Sequence, residues 1–385
     1  MLLSRRRFMQ LGLTASGALL VGIRGAAAAR TPVPPQLLGD DLTELTAFVM
    51  IERDNRVVIG ARGCEIGQGV ITSLPMLIAE ELDVEWSKVR VIQLPYGYEE
   101  VDGKPSNRYG DQFAGGSTSI PTAWKDLREA GATARWLLLR AAADAWSVPI
   151  ENLKTQAGHV VNADGRRLSY GALARTAAAV SPPDQPPAPK NPAEFNLVGK
   201  PVRTADGRSI VTGQNDYGID AYLSGALVAV MLRCPYLDGS LESVDDSEAR
   251  KVDGVRDVIA IEGPKPGEPF DGPLAAGIAV LADNTWAAIQ GRNKLKPVWK
   301  QGPWAKESTP ALSAQANALL DAAKDGIVVR KDGDLAVSRK RARHSLSARY
   351  EVPFLAHATM EPPGALIELR QDGALLIASM QNPAG

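Results

Sequence analysis

The sequence of 385 residues has few of the side chains that usually carry chemistry: two cysteines, Cys64 and Cys234, three histidines and 5% aromatic residues. Two thiols exclude an iron–sulfur cluster, which needs about four cysteine ligands, and a cysteine-rich zinc site built from this chain alone. They leave open one disulfide or two buried free thiols. His159, His344 and His357 never stand four apart, so no helix carries a histidine pair for a metal. Excess charge of either sign is also missing. The formal charge is -1 and the basic residues are scattered, which argues against a nucleic-acid surface. No uninterrupted apolar run is long enough for a confident spanning helix, because Gly12, Thr14, Ser16, Gly17, Gly22 and Arg24 break the best candidate. What is present is ordinary for a globular protein, 45% hydrophobic and 23% charged, and long enough for two or three domains.

The N-terminus has the layout of an export signal: a basic start, an apolar Gly/Ala-rich stretch, and the small residues Ala26 to Ala29. Ser4, Arg5, Arg6 and Phe8 resemble the twin-arginine motif, whose pathway moves folded proteins. An ordinary secretory signal or an uncleaved anchor shares most of these features. Residues 1–29 are therefore expected to be a signal, and the protein periplasmic or on the periplasmic face of the inner membrane. Removal of residues 1–29 takes away four arginines and no acid, leaving a charge of about -5.

Alternation over 46–62 predicts two short strands joined at Asp54 and Asn55. Val70, Leu74, Leu77, Ile78 and Leu82 then recur at helical spacing, with Thr72 or Ser73 as the cap, Pro75 in the first turn, and Glu80 and Glu81 on a solvated face. A strand follows at 89–95. A long helix is expected from about Ile120, in which Gly131 implies close approach of another backbone. The Pro-rich run Ser181 to Pro192 reads as a linker and boundary. Beyond it, 195–299 reads as an α+β unit with strands near IVTG, ALVAVML, VRDVIAIEG and AGIAVLAD. Residues 306–324 read as a helix, and strands are expected from Ser345 onward.

Two glycine loops precede helices: Gly67-Gln68-Gly69, and Gly115-Gly116-Ser117-Thr118. Exposed N–H groups and the positive end of the helix dipole make such places anion sites, and glycine lets the backbone approach a ligand. Two loops within about fifty residues fit one anionic or phosphorylated cofactor; both could equally be plain turns. Neither has the spacing of the common nucleotide loops. Ser117 lacks the surroundings of a hydrolase nucleophile, and His357 with Glu361 suits a polar interface better than ligation.

With these residues in view, the chain resembles the molybdenum-binding large (beta) subunits of the xanthine dehydrogenase and aldehyde oxidase family, in the isoquinoline 1-oxidoreductase branch. The segments that carry the resemblance are EIGQGVITSLPMLIAEELDVEWSKVRV, AGGSTSI with TAWKDLREAGATAR, VGKPVRTADGRSIVTGQNDYGIDA, and YEVPFLAHATMEPPGALIEL. It implies an α+β fold with a split molybdopterin-binding domain and an inserted a/b hammerhead domain: residues 40–180 as the first cofactor-binding segment, 181–194 as linker, 195–300 as the hammerhead, and 301–385 as the start of the second segment, truncated.

The resemblance further implies molybdopterin cytosine dinucleotide as cofactor. Gln68, between Gly67 and Gly69, would hydrogen-bond an oxo group on the molybdenum, while Gly115, Gly116, Ser117 and Thr118 would cradle the anionic part. Electrons would pass to a small [2Fe-2S] subunit, with a cytochrome c as a further acceptor. Family members carry a general-base glutamate in a later segment that these residues do not include. The expected activity is oxidation of an N-heteroaromatic or aldehyde carbon with oxygen from water; the alternative is an inactive remnant or partner-binding assembly module.

Overall fold

Alternating apolar residues and one left-handed turn build the first part of the fold. The computed structural model describes residues 10–13, 19–22, 48–101, 104–264, 275–322, 326–371 and 373–383. The first sheet contains β1 (Gln10–Leu13), β2 (Leu19–Gly22), β3 (Val49–Ile51), β4 (Val57–Ala61) and β5 (Val89–Gln93), in that spatial order. All neighbours are antiparallel except β4 and β5. The turn between β3 and β4 lies at Asn55, as the alternation predicts. Its φ of 72° suits asparagine, whose Oδ1 accepts from Gly171 N at 3.0 Å. Every residue of β3 and β4 is buried, so both faces of the sheet are covered there. The pairing of β1 and β2 falls within the expected signal; Ser4, Arg5, Arg6, Phe8 and Ala26 to Ala29 lie outside the described residues.

Helix α1 (Val70–Glu81) crosses from β4 to its parallel neighbour β5. It starts at Gly69 rather than at Thr72 or Ser73. Both hydroxyls serve elsewhere: Thr72 Oγ1 accepts from Ala205 N at 2.9 Å, and Ser73 Oγ donates to Gly69 O at 3.1 Å. Pro75 thus lies past the first turn, where it removes one helical hydrogen bond. Helix α2 (Ser119–Trp146) runs 28 residues and packs on α1. Gly131 marks the crossing, as expected: a Cβ there would stand 3.0 Å from Ile78 O and 2.7 Å from Glu81 Cβ. Leu74, Ile78, Leu127, Leu137 and Leu138 share one core with Phe48, Met50, Ile51 and Ile59 of the sheet.

Glu80 and Glu81 correct the sequence reading, because they are 2% and 0% exposed. Glu81 accepts from Arg128 Nε at 2.9 Å, Arg135 Nη1 at 3.0 Å and Lys190 N at 2.9 Å. Glu80 accepts from the backbone N–H groups of Asn196, Leu197 and Val198, and Lys190 also pairs with Asp83. Buried carboxylates persist only with such partners. Here they strap residues 190–198 onto α1, so the Pro-rich run is no free linker. The first compact unit continues to Asp220 and includes 363–385. A three-stranded sheet of 153–156, 159–162 and 167–169, with a helix over Tyr170–Ala178, completes its core; Tyr170 is fully buried and donates to Leu82 O at 2.5 Å.

The second unit covers Ala221–Pro362. Strand Gly277–Ala282 sits between Val228–Arg233 and Val255–Ile261, and Ser240–Asp245 pairs with Lys296–Lys300. The last two strands were not evident in the sequence. Asn284 caps the helix Thr285–Lys294, accepting from Ala287 N at 2.9 Å. IVTG falls instead at the end of a short helix, Gly207–Val211, in the first unit. Helix Thr309–Ala322 forms as expected, but residues 345–362 carry no strand, and the hairpin is Ala365–Arg370 with Gly373–Ala378. No described helix is long and apolar enough to cross a membrane.

Candidate functional site

The first glycine loop leaves the end of β4 and the second enters α2. Their roots are joined: Arg62 Nη1 donates to Tyr109 O at 3.2 Å, and the Cys64 thiol donates to Gln112 O at 3.1 Å. Further on, Ile78 and Glu81 of α1 meet Gly131 and Arg135 of α2. Contacts at the roots and again along the helices make α1 and α2 run in the same sense, so both N-termini lie at one end. That end is also the carboxyl end of the parallel pair β4 and β5, the usual side for ligands in such crossovers. Gln112, which is buried, fixes the second root by donating to Pro95 O at 3.0 Å and accepting from Gly97 N at 3.1 Å.

Gly67, Gln68 and Gly69 form a tight turn with φ of 95° at Gly67 and 86° at Gly69, where only glycine sits without strain. Gln68 Oε1 accepts from Ile66 N at 2.7 Å and its Nε2 donates to Cys64 O at 3.0 Å. Glu65 completes the turn. Its Oε1 accepts from Gly67 N at 2.7 Å and Gly69 N at 3.0 Å, and its Oε2 from Ile71 N at 2.8 Å.

The second loop turns through Gly116 and Ser117, with φ of 56° and 58°. Among the described residues no acceptor stands against the N–H groups of Gly116 and Ser117, and both residues are exposed. Thr118 Oγ1 donates to Gly115 O at 2.9 Å, so it braces the loop from within. A Cβ at Gly115 would meet the Phe113 ring at 2.2 Å, so the ring would have to move to admit a larger residue. The loop's other brace comes from far along the chain. Ala114 N donates to Gln381 O at 2.8 Å, and Gln381 Nε2 donates to Ala114 O at 2.7 Å.

Beneath the roots lies a buried cation, Arg62, 3% exposed and 3.4 Å from Asp126. Burial lowers its pKa, and Asp126 only partly offsets this. Arg62 Nε and Gln93 Oε1 are buried without a hydrogen-bond partner among the described residues. Burial, then the charge of Asp111, pushes the Cys64 thiol up, which disfavours its thiolate form. The described residues hold no cluster of three or more His, Cys, Asp or Glu suited to a metal.

The structure thus brings the two predicted loops together, and the sequence reading missed Glu65, Arg62, Gln112 and Gln381. An acid just before a helix start was a usable signal for Glu65. Nothing local signals Gln381.

An anion could therefore be held at the second loop, where two N–H groups meet no acceptor among the described residues. At the first loop the corresponding donors are already taken, and Gln68 offers a carboxamide with one N–H and one lone pair still open. The fit to a molybdopterin cofactor is accordingly direct at the second loop and limited to Gln68 at the first.

Residues 18–191 match the family model for a molybdopterin cofactor-binding domain. The chain is similar to the beta subunit of isoquinoline 1-oxidoreductase from Brevundimonas diminuta, 30% identical over 97% of this chain and 51% of that protein. It is 28% identical to a membrane-bound aldehyde dehydrogenase (pyrroloquinoline-quinone) from Gluconacetobacter polyoxogenes, over 94% of this chain and 46% of that one. A nicotinate dehydrogenase subunit from Pseudomonas putida is also 28% identical, over 88% of this chain and 27% of its own length. The chain spans about half the length of the first two of these relatives. These matches fall on a mixed α/β chain, and both glycine loops lie inside the residues matched by the molybdopterin cofactor-binding domain model.

Proposed function

We propose that the chain is part of a molybdenum hydroxylase large subunit that binds molybdopterin cytosine dinucleotide across the two glycine loops. The observation that carries this reading is the pair of N–H groups at Gly116 and Ser117, which belong to exposed residues, meet no acceptor among the described residues, and lie in a loop whose root is joined to that of the first. Gly115, Gly116, Ser117 and Thr118 would hold the anionic part of the cofactor. Gln68 would hydrogen-bond an oxo group through the N–H that its internal bonds leave open. When bound, the cofactor supplies a redox metal centre that accepts two electrons as oxygen from water reaches an N-heteroaromatic or aldehyde carbon.

The remaining roles belong to other segments or chains. The general base is not assigned to any residue here. Electrons would pass to a small [2Fe-2S] subunit, since two cysteines cannot hold such a cluster, and from there to a cytochrome c. In this reading residues 195–300 contribute the a/b hammerhead domain, 301–385 open the second cofactor-binding segment, and residues 1–29 direct folded export to the periplasm.

The test is co-expression of the full chain with an iron–sulfur partner and cofactor-maturation factors, followed by metal and nucleotide analysis of the purified protein. Molybdenum and a cytosine nucleotide are expected together. Their joint absence removes the cofactor assignment.

A further inference from the structure

The first glycine loop already contains an anion, and it belongs to the chain. The N–H groups of Gly67, Gly69 and Ile71, at the start of α1, are the donors that a ligand's phosphate would meet at a helix end. One carboxylate, Glu65, accepts from all three at 2.7, 3.0 and 2.8 Å. Gln68 takes the N–H of Ile66 and gives one hydrogen to Cys64 O. Among the described residues nothing comparable fills the second loop, where the N–H groups of Gly116 and Ser117 meet no acceptor and both residues are exposed. A ligand anion at the first loop would have to displace Glu65 or lie against its like charge. At the second it meets neither obstacle.

We propose that Glu65 is a positioning residue that divides the work of the two loops: it closes the first to ligand anions, holds the Gly67-Gln68-Gly69 turn, and leaves phosphate recognition to Gly116 and Ser117. This rests on the cofactor-binding reading above and deepens it. A carboxamide has two N–H donors and two acceptor lone pairs. Each internal bond of Gln68 uses one, so one of each remains, aimed by the bonds to Ile66 and Cys64. The first loop then reads neutral donor and acceptor atoms of the ligand, and the second reads its charge.

The experiment uses the full chain labelled with 15N-glycine, with inorganic pyrophosphate as the probe. In the native chain pyrophosphate is expected to shift Gly116 and leave Gly67 and Gly69 in place. In Glu65→Ala, Gly67 and Gly69 should become sensitive as well. In Glu65→Gln they should stay insensitive, because the amide oxygen still accepts from both. Shifts at Gly67 and Gly69 of the native chain equal to that at Gly116, or insensitivity of both in Glu65→Ala, overturn the proposal.

A measurement on the native chain alone guards against a variant that fails to fold. Hydrogen exchange at Gly67 and Gly69 should be at least tenfold slower than at Gly116, and equal or faster exchange overturns the proposal. Absence of any shift at Gly116 would instead count against the cofactor reading, and the exchange rates would still decide the role of Glu65.

Discussion

The two glycine loops lie at the same end of neighbouring helices, and both use left-handed residues to turn, yet they spend their backbone donors differently. The first bonds inward, with Glu65 and Gln68 consuming the N–H groups of Ile66, Gly67, Gly69 and Ile71. The second leaves the N–H groups of Gly116 and Ser117 without an acceptor among the described residues and is braced by Thr118 and Gln381. Glycine before a helix is thus a permissive condition for anion binding and not a sufficient one. The nearest acidic side chain decides whether the donors remain available.

The comparison can be broken most severely through the scaffold that both loops share. Glu81→Ala leaves Arg128 and Arg135 without their buried partner and should cost about 3–5 kcal/mol in urea unfolding, loosening both loops together. Next come the left-handed glycines. Gly69→Ala and Gly116→Ala should each cost about 1–2 kcal/mol, because an L-residue is disfavoured there and no close contact compounds the strain. Only Gly116→Ala should also weaken pyrophosphate binding by calorimetry. Glu65→Ala removes the cap on α1 and should lower stability by about 1 kcal/mol, measured by the same unfolding. Gln381→Ala should cost about 0.5–1 kcal/mol and speed hydrogen exchange at Gly116 and Ser117 without changing exchange at Gly67.

The smallest effect is acidic and touches neither loop. Burial would raise the pKa of Glu80, but hydrogen bonds from Val198, Asn196 and Leu197 and the charge of Lys190 outweigh it, and the net shift is downward from 4.5. The stabilisation from this carboxylate is therefore present above the ordinary glutamate pKa and is lost as the pH falls through the lower folded value. Proteolysis within residues 190–198 should accelerate over that acid range, and in Glu80→Gln the acid dependence should disappear.

Much of the first unit was legible because its determinants are local. The hairpin turn at Asn55, the stripe of α1, the length of α2 and the close contact at Gly131 follow from periodicity and from residues with special backbone freedom. Glu80 and Glu81 were misread because amphipathic patterning assigns charge to solvent, while their partners lie on α2 and beyond residue 189. The strands Ser240–Asp245 and Lys296–Lys300 are half exposed and charged, so their pattern carries little hydrophobic signal. At the site, both glycine loops could be found from composition, but whether their donors were free could not, since that depends on rotamers of Glu65 and Gln68.

The brace between Gln381 and Ala114 joins residues 267 positions apart. A chain leaves the ribosome N-terminus first, and closing so wide a loop has to wait for its far end. Glu65 stands within six residues of every amide it holds, so the first turn can mature while translation is still under way. The second turn takes its final shape only once synthesis has passed residue 381, so the proposed phosphate seat is completed long after the first turn is in place.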